Sequence, residues 1–302
     1  MTTKRPVKKE YEERLYYIIS IKVHSDEKDK QELYSSLFNQ IFNIDGFYAK
    51  IGNKLGLSLK KINNMELNKQ QLGSVFNEIP YDSLEIFQGE FVKYKIENEG
   101  DKYFNTVSKE LKPGDPSSPN KPNAVQIEFF FVPSIHRVLL PVSRNLNPNQ
   151  VKDFFEQALM NIFEDKTFFN VDIAKSVEEV NKIYEFKELK KLALDISYTN
   201  DDIGGSAKKF FDTLMKEGNI NKYKSVYEAE NNESLNLDSN IIKGGIELSK
   251  ENGEVKATGI NSFGNKVVVD TKNKFEQVKL SIKKDLNPLI SILKETYSKW
   301  RN

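Results

Sequence analysis

The sequence has no cysteine among its 302 residues. This absence excludes disulfides, thiolate zinc sites, iron–sulfur ligation and cysteine nucleophiles. Histidine is also scarce, because His24 and His136 are the only two. A transition-metal site normally needs several such ligands, so we expect neither a metal nor another cofactor. The lack of cysteine fits a reducing cytoplasm, which is the location that we expect.

An excess of charge of one sign is missing as well. The chain carries 45 basic and 44 acidic residues, for a formal net charge of +1. The chain as a whole therefore does not attract nucleic acid, and binding DNA or RNA requires a local basic patch. No stretch approaches the roughly 18 apolar residues of a membrane span, so we expect no membrane-spanning segment.

The N-terminal residues 1–14 are basic and contain no apolar stretch of the kind found in secretory signals. We predict a flexible basic arm here. Its clustered charges make the arm a candidate contact for DNA or RNA. The candidate side chains are Lys4, Arg5, Lys8 and Lys9.

The rest of the sequence predicts an α+β protein with two lobes. Four prolines with glycine, serine and asparagine occur in 111–123, a composition that excludes a helix or a central strand. We therefore predict an exposed linker or loop at 111–123, between an N-terminal lobe (15–110) and a C-terminal lobe (124–302).

Within the C-terminal lobe, residues 124–199 show the order strand–strand–helix–strand–helix–strand. This order is typical of ferredoxin-like elements, in which helices pack on one face of an antiparallel sheet. A β unit of up to three strands (241–270) and a long helix (274–300) are predicted to complete the chain. The long helix is a candidate surface for homo-oligomerisation.

Residues 241–259, IIKGGIELSKENGEVKATG, contain an E-x-K sequence at Glu254 and Lys256. In one class of metal-dependent nucleases, an upstream aspartate and an E-x-K lie on neighbouring strands. The acids hold Mg²⁺, and the lysine helps to position or activate water. Alternation along a strand places Glu254 and Lys256 on one face. Asp238 is the nearest upstream acid, with Glu247 as a substitute.

The Asn252-Gly253 step in the same stretch indicates a different structure. Asn-Gly is the strongest two-residue signal for a β-hairpin turn. A turn at this position puts Glu254 at the mouth of a hairpin, where outward-facing charged residues are ordinary. We favour this surface hairpin and keep the metal-dependent nuclease as an alternative.

A second set of catalytic candidates surrounds His136. His136 and Arg137 begin the second strand of a predicted hairpin, and Arg144 follows seven residues later. An imidazole beside two guanidinium groups can bind phosphate and supply a general acid or base for metal-independent RNA cleavage. The other interpretation is a histidine on an edge strand with polar neighbours.

Basic and aromatic residues alternate in FVKYKIE (91–97), where Lys93 and Lys95 flank Tyr94. Lysines and an aromatic ring on one sheet face bind single-stranded nucleic acid by charge and stacking. Strict alternation, however, places Tyr94 on the face opposite to the two lysines. We predict Lys93 and Lys95 as nucleic-acid contacts, together with Arg144 and the N-terminal arm.

The sequence also resembles an uncharacterised bacterial family of domains of unknown function, some of whose members are encoded among phage-defence genes. The resemblance rests on four segments, which are IFQGEFVKY (86–94), FFFVPSIHRVLLPV (129–142), LDISYTNDD (194–202) and IIKGGIELSKENGEVKATG (241–259). The resemblance implies a cytoplasmic component of a bacterial defence or mobile-element locus that handles nucleic acid or a partner protein. It supplies no catalytic residues.

Three hypotheses for function follow. The leading one is a non-enzymatic binding or sensor component, with anti-phage defence as its expected setting, that acts with a protein partner from the same operon or with DNA or RNA. The alternative is a nuclease of either type described above, with Mg²⁺ in the E-x-K type. The third is a homo-oligomeric structural protein.

Overall fold

The structure is a computed structural model. It describes residues 11–24, 29–72, 82–97, 101–104, 107, 109–115, 118–197, 206–231, 233–283 and 288–300. The strands are β1 Tyr11–Val23, β2 Ala49–Lys50, β3 Leu55–Asn68, β4 Ser83–Lys95, β5 Lys102–Phe104, β6 Leu111–Pro113, β7 Val125–Val132, β8 Arg137–Pro141, β9 Phe169–Ile173, β10 Glu188–Ser197, β11 Lys222–Glu228, β12 Gly253–Ile260, β13 Lys266–Asp270 and β14 Gln277–Lys283. The helices are α1 Lys30–Phe42, α2 Lys69–Leu72, α3 Pro148–Phe163, α4 Val177–Asn181, α5 Ser206–Glu217, α6 Asn240–Asn252 and α7 Pro288–Trp300. Antiparallel sheets with helices confirm the α+β class.

The chain divides into two compact units that alternate along the sequence. Unit 1 consists of residues 1–25, 135–142 and 167–302, and unit 2 of residues 26–134 and 143–166. This division differs from the predicted lobes at 15–110 and 124–302. The reason is long-range strand pairing, because β1 near the N-terminus pairs with β14 near the C-terminus. The proline-rich segment 111–123 lies within unit 2.

Unit 1 contains two sets of paired strands. In the first, β1 pairs with β14, β8 and β9, all antiparallel. In the second, four strands form an antiparallel sheet in the order β11-β10-β12-β13. The inner face of this sheet forms an apolar core with α5 and α6, which includes Leu192, Leu194, Val255, Phe211 and Ile246.

Unit 2 has a sheet in the order β7-β4-β3-β2, with a phenylalanine-rich core. Phe38 of α1 stacks on Phe131 of β7, with ring centroids 3.9 Å apart. Phe155 of α3 lies 5.5 Å from Phe38, so both helices pack on the same core. Asn147 caps α3, and Pro148 occupies its first turn.

The segment 240–252 is a helix, α6, and the predicted Asn-Gly hairpin is wrong. Ser239 caps α6, since its hydroxyl accepts a hydrogen bond from the amide of Ile242 at 3.4 Å. A Cβ on Gly245 would overlap the side chain of Leu194, so this glycine serves close helix–sheet packing rather than a turn. Only the two later strands of the predicted three-stranded unit are present, as β12 and β13.

The predicted long helix at 274–300 is also wrong in its first half. Residues 277–283 form β14, in which Leu280 and Ile282 are buried at alternating positions. This period of two is the pattern of a strand with one buried face. The helix α7 begins only at Pro288.

The element order predicted for 124–199 is confirmed, but not its pairing. The strands β7, β8, β9 and β10 and the helices α3 and α4 follow in the expected order. However, β9 pairs with β1, whereas β10 belongs to the four-stranded sheet. The strands therefore do not form one ferredoxin-like sheet. Among the helices in the described ranges, none combines the length and apolar character that crossing a membrane requires.

Candidate functional site

A row of buried polar side chains crosses β8, β1 and β9 in unit 1. Ser20 is directly opposite Arg137 on one side and Asp172 on the other. The Nη1 of Arg137 donates to Ser20 Oγ at 2.6 Å. Lys22, on the same strand face as Ser20, donates through Nζ to the Oδ1 of Asn252 in α6 at 2.7 Å. We call Ser20, Lys22, Arg137, Asp172 and Asn252 the polar strip, and none of them is more than 7% exposed.

The polar strip buries two cations and one carboxylate. Charged groups away from water are costly unless other charges and hydrogen bonds compensate them. Arg137 also contacts Glu251 at the surface of α6, with 3.5 Å between Nη2 and Oε2. The bonds from Lys22 to Asn252 and from Arg137 to Glu251 hold α6 on the first set of strands. The polar strip presents no open face to a substrate.

The structure therefore places the predicted pair His136 and Arg137 inside unit 1. His136 is 7% exposed, has a φ of 44°, and accepts through its carbonyl a hydrogen bond from the amide of Ile21 at 3.1 Å. Its positive φ turns the chain from the 3-10 turn Pro133–Ile135 into β8. Arg144 is exposed and belongs to unit 2. A role for these three residues in RNA cleavage stays a prediction.

His24 lies in a half-buried cluster of polar side chains, two residues after Lys22 of the strip. Its Nε2 lies 2.9 Å from Asn221 Oδ1 and 3.1 Å from Asn170 Nδ2. Burial lowers the pKa of His24, although the hydrogen bond to Asn221 acts in the opposite direction. Lys22 acts in the same direction as burial, so the surroundings of His24 favour the neutral imidazole over the charged one.

The E-x-K residues lie on β12, which pairs with strands on both sides. Glu254 and Lys256 share the outer face of the sheet, as alternation predicts. Lys175 Nζ lies 3.2 Å from Glu254 Oε1, and Lys256 Nζ lies 3.3 Å from Asp270 Oδ2. Asp238 precedes α6, whose 13 residues span about 20 Å, so the structure does not bring Asp238 beside Glu254.

An acid that the sequence reasoning missed stands opposite Glu254. Asp195 of β10 is its direct cross-strand neighbour. Lys224 and Lys222 contact the carboxylate of Asp195 at 2.8 Å and 3.1 Å. Burial opposes the shift, but these two lysines hold the pKa of Asp195 below its ordinary value. Only the strand register reveals this neighbour, because 59 residues separate Asp195 from Glu254 in the sequence.

Carboxylates and imidazoles do not gather into a metal site in the described part of the chain. There, no group of three or more His, Asp or Glu side chains has the spacing to hold an ion. The pair Asp195 and Glu254 is instead neutralised by lysines. Two carboxylates with lysine partners form an ionic face of the sheet.

Two of the predicted nucleic-acid contacts of unit 2, Lys93 and Lys95, have partners within the protein, whereas Arg144 is exposed. Lys93 donates to the backbone carbonyl of Asn145. The Nζ of Lys95 lies 3.9 Å from Asp101 Oδ2, and the Nζ of Lys54 lies 3.0 Å from the other oxygen of the same carboxylate. Lys4, Arg5, Lys8 and Lys9 lie outside the described residues, and the described strand β1 begins at Tyr11 within the predicted arm.

Unit 2 also contains an open cavity of about 650 Å³. It lies between the end of α1 with the loop that follows it (41–47) and residues 58–60 of β3. Its charged lining residues are Asp45 and Lys60. One acid and one base at the mouth of an open depression do not define a ligand class.

The turn between β12 and β13 presents a large aromatic side chain to solvent. Phe263 is 86% exposed. The carboxamide of Asn261 accepts hydrogen bonds through Oδ1 from the amides of Phe263 and Asn265, both at 3.0 Å. The amide of Gly264 donates to the carbonyl of Asn261, also at 3.0 Å. The turn is therefore built from its own hydrogen bonds, and Phe263 takes no part in packing it.

A search of curated proteins finds no match to this chain. The profile of one protein family, described as a domain of unknown function (DUF4747), matches residues 14–298. This match covers both units, including the polar strip, the ionic sheet face and the turn that carries Phe263. The chain therefore belongs to the DUF4747 family of domains of unknown function.

Proposed function

We propose that this chain is a non-enzymatic binding component that acts with a partner protein in a bacterial cytoplasmic system, of which anti-phage defence is the expected setting. The observation that carries the proposal is the turn that holds Phe263. Large aromatic side chains dominate the binding energy of protein interfaces when they fill a pocket in the partner. An exposed phenylalanine on a pre-formed turn is suited to act as such an anchor.

Phe263 stands on a turn whose backbone is already ordered by hydrogen bonds. A contact residue on a mobile loop loses conformational freedom on binding, which reduces affinity. The hydrogen bonds of Asn261 fix the backbone on both sides of Phe263 before any partner arrives. Val268, on the outer face of the adjoining strand β13, is 51% exposed and adds apolar surface to the same hairpin.

The catalytic candidates support a binding role as well. Arg137 is buried and bonded to Ser20, and Glu254 is paired with Lys175. Lys256 is paired with Asp270. Each of these side chains has a contact within the protein, whereas Phe263 is turned to solvent.

Because the chain resembles proteins encoded among defence genes, the products of its neighbouring genes are the first candidate partners to test. The tagged full-length chain is co-expressed with the product of each neighbouring gene, and the purified material is analysed by size exclusion with light scattering. We expect one product to form a complex of defined stoichiometry. If every neighbouring product elutes separately from the chain, the proposal of a partner from the same locus fails.

One observation favours the nuclease alternative, which is the direct opposition of Asp195 and Glu254 with Lys256 on the same face. If this face held Mg²⁺, the two carboxylates would be its ligands. The test is incubation of the full-length chain with labelled DNA and RNA, with and without Mg²⁺, beside the D195N and E254Q variants. Magnesium-dependent cleavage that both variants lose would establish the nuclease. The binding proposal predicts the same background for all three proteins.

A further inference from the structure

Lys22 of β1 and Asn252 at the end of α6 form a buried pair of an amine and a carboxamide. The Nζ of Lys22 lies 2.7 Å from the Oδ1 of Asn252, although 230 residues separate the two in the sequence. Lys22 is 4% exposed and Asn252 is 0% exposed. In the described part of the chain, no group forms a hydrogen bond with the Nδ2 of Asn252. The pair is therefore shielded from solvent, and no hydrogen bond holds the amide nitrogen.

We propose that Lys22 and Asn252 join in a spontaneous intramolecular isopeptide bond between Nζ and Cγ, with release of ammonia. A carbonyl bond is about 1.2 Å long, so the Cγ of Asn252 lies within about 4 Å of the Nζ of Lys22. Groups that the fold holds so close react as one molecule, because the entropy of bringing them together is already lost. Rotation about the last bonds of the lysine side chain moves Nζ from the carboxamide oxygen towards the carbon.

Asp172 of β9 is the group that we assign as the proton carrier. Ser20 faces Asp172 across the two strands, and the next pair on the same face is Lys22 with Asn170. Lys22 and Asp172 are thus diagonal neighbours, a separation that a long side chain can reach. Asp172 is 7% exposed, so its carboxylate lies inside the protein on the same sheet face as the amine. A positioned carboxylate of this kind can act as a general base and then as a general acid.

The atoms and charges of the reaction balance. The ammonium of Lys22 gives one proton to Asp172, and the lone pair that this frees attacks the Cγ of Asn252. A second proton passes from Nζ to Nδ2, and the bond between Cγ and Nδ2 then breaks. Ammonia leaves with the proton that Asp172 held. The products are a secondary amide, the original carboxylate and one ammonium ion, and the reaction needs no oxidant and no cofactor.

The removal of a buried charge favours the linked product. Before the reaction, the polar strip contains the cations of Lys22 and Arg137 and the carboxylate of Asp172, and buried ions are costly unless they are compensated. The amide is uncharged, so the strip then has one cation and one carboxylate. The bond also closes a long loop between β1 and α6, which restricts the unfolded chain as a disulfide does. The sequence has no cysteine with which to form such a disulfide. This proposal is independent of the binding role of Phe263.

The intact mass of the purified full-length chain tests the proposal. We expect a mass that is lower by one ammonia than the mass calculated from the sequence. Digestion with trypsin should give a branched peptide in which Lys22 is joined to Asn252. The matched control is K22R, because arginine keeps the positive charge but its guanidinium stays protonated and does not attack the carboxamide. K22R should have its full calculated mass and give no branched peptide.

A succinimide at Asn252-Gly253 would also release ammonia, and K22R separates the two reactions. A succinimide would form in K22R as well and would be cleaved by hydroxylamine, whereas the isopeptide bond requires Lys22 and resists hydroxylamine. A wild-type chain that keeps its full mass and gives no branched peptide after prolonged incubation at neutral pH would overturn the proposal. A loss of ammonia that persists in K22R would also overturn it.

The role of Asp172 has its own test. D172N keeps the size of the side chain but cannot accept the proton, so it should slow formation of the bond by about tenfold or more. The intact mass, followed with time after purification, measures the linked fraction. Linkage in D172N at the rate of the wild type would overturn the assignment of Asp172 as the proton carrier.

Discussion

Arg137 and Ser20 face each other across β8 and β1, and a hydrogen bond of 2.6 Å joins the guanidinium to the hydroxyl. Arg137 is 5% exposed and Ser20 is 1% exposed. Arg137, which the sequence predicts as a phosphate-binding residue, is therefore buried in the interior of unit 1. Its substitution should change the stability of the protein before it changes any binding.

We predict that R137A lowers the free energy of unfolding by about 2 kcal/mol or more. The variant removes the charged donor of a buried hydrogen bond to Ser20, together with a buried side chain that packs in the strip. Urea unfolding followed by circular dichroism measures the change. The control is R144A, at an exposed arginine, which should stay within about 0.5 kcal/mol of the wild type. Equal stabilities for the two variants would contradict the structural role of the strip.

His24 should make folding sensitive to pH. Its pKa in the folded protein is lowered, chiefly by burial, below the ordinary value of 6.5. Well above pH 6.5 the imidazole is neutral in both the folded and the unfolded state, so no stability is lost there. As the pH falls below 6.5, the unfolded chain takes up a proton that the folded chain resists, and stability falls.

The measurement for His24 is urea unfolding at about pH 7.5 and about pH 5.5, which bracket the ordinary pKa of histidine. H24Q should lose less stability than the wild type over this interval. An NMR titration of the imidazole, assigned by comparison with H24Q, gives the pKa itself. A pKa at or above 6.5 would show that burial does not govern this residue.

Gly89 lies directly opposite Phe129 in the ladder between β4 and β7. A Cβ at Gly89 would overlap the phenylalanine ring, so the ring occupies the space that the glycine leaves. We predict that G89A costs about 1–3 kcal/mol of stability, as is usual when a packed core receives an extra methyl group. A double-mutant cycle with F129L separates overlap from other effects. The cost of G89A should shrink in the F129L background, and an unchanged cost would count against the overlap.

The sequence predicts those elements whose signals are local. Asn147 and Pro148 mark the start of α3, and Ser176 caps α4, with its hydroxyl 3.3 Å from the amide of Glu179. The sequence does not predict α6, because Gly244-Gly245 and Asn252-Gly253 are turn signals by themselves. In the structure, packing on β10 determines that this segment is a helix, since Gly245 lets α6 approach Leu194 closely.

The candidate site depends still more on distant neighbours. Alternating polar residues at Ser20 and Lys22 in a strand otherwise rich in apolar residues are a visible signal for the polar strip. Its other members come from β8, β9 and α6, and no local pattern connects them. The same limit applies to Asp195 and Glu254, which only strand register brings together. Phe263 gave no signal either, because exposure of an aromatic residue is a property of the folded hairpin.

The most direct test of the binding proposal is isothermal titration calorimetry of the partner encoded nearby against wild type, F263A and L111A. Leu111 is 64% exposed in unit 2 and serves as the matched control for loss of exposed apolar surface. We predict that F263A weakens binding about tenfold or more, as expected for an aromatic anchor, while L111A binds like the wild type. Unchanged affinity for F263A would contradict the claim that this turn carries the interaction.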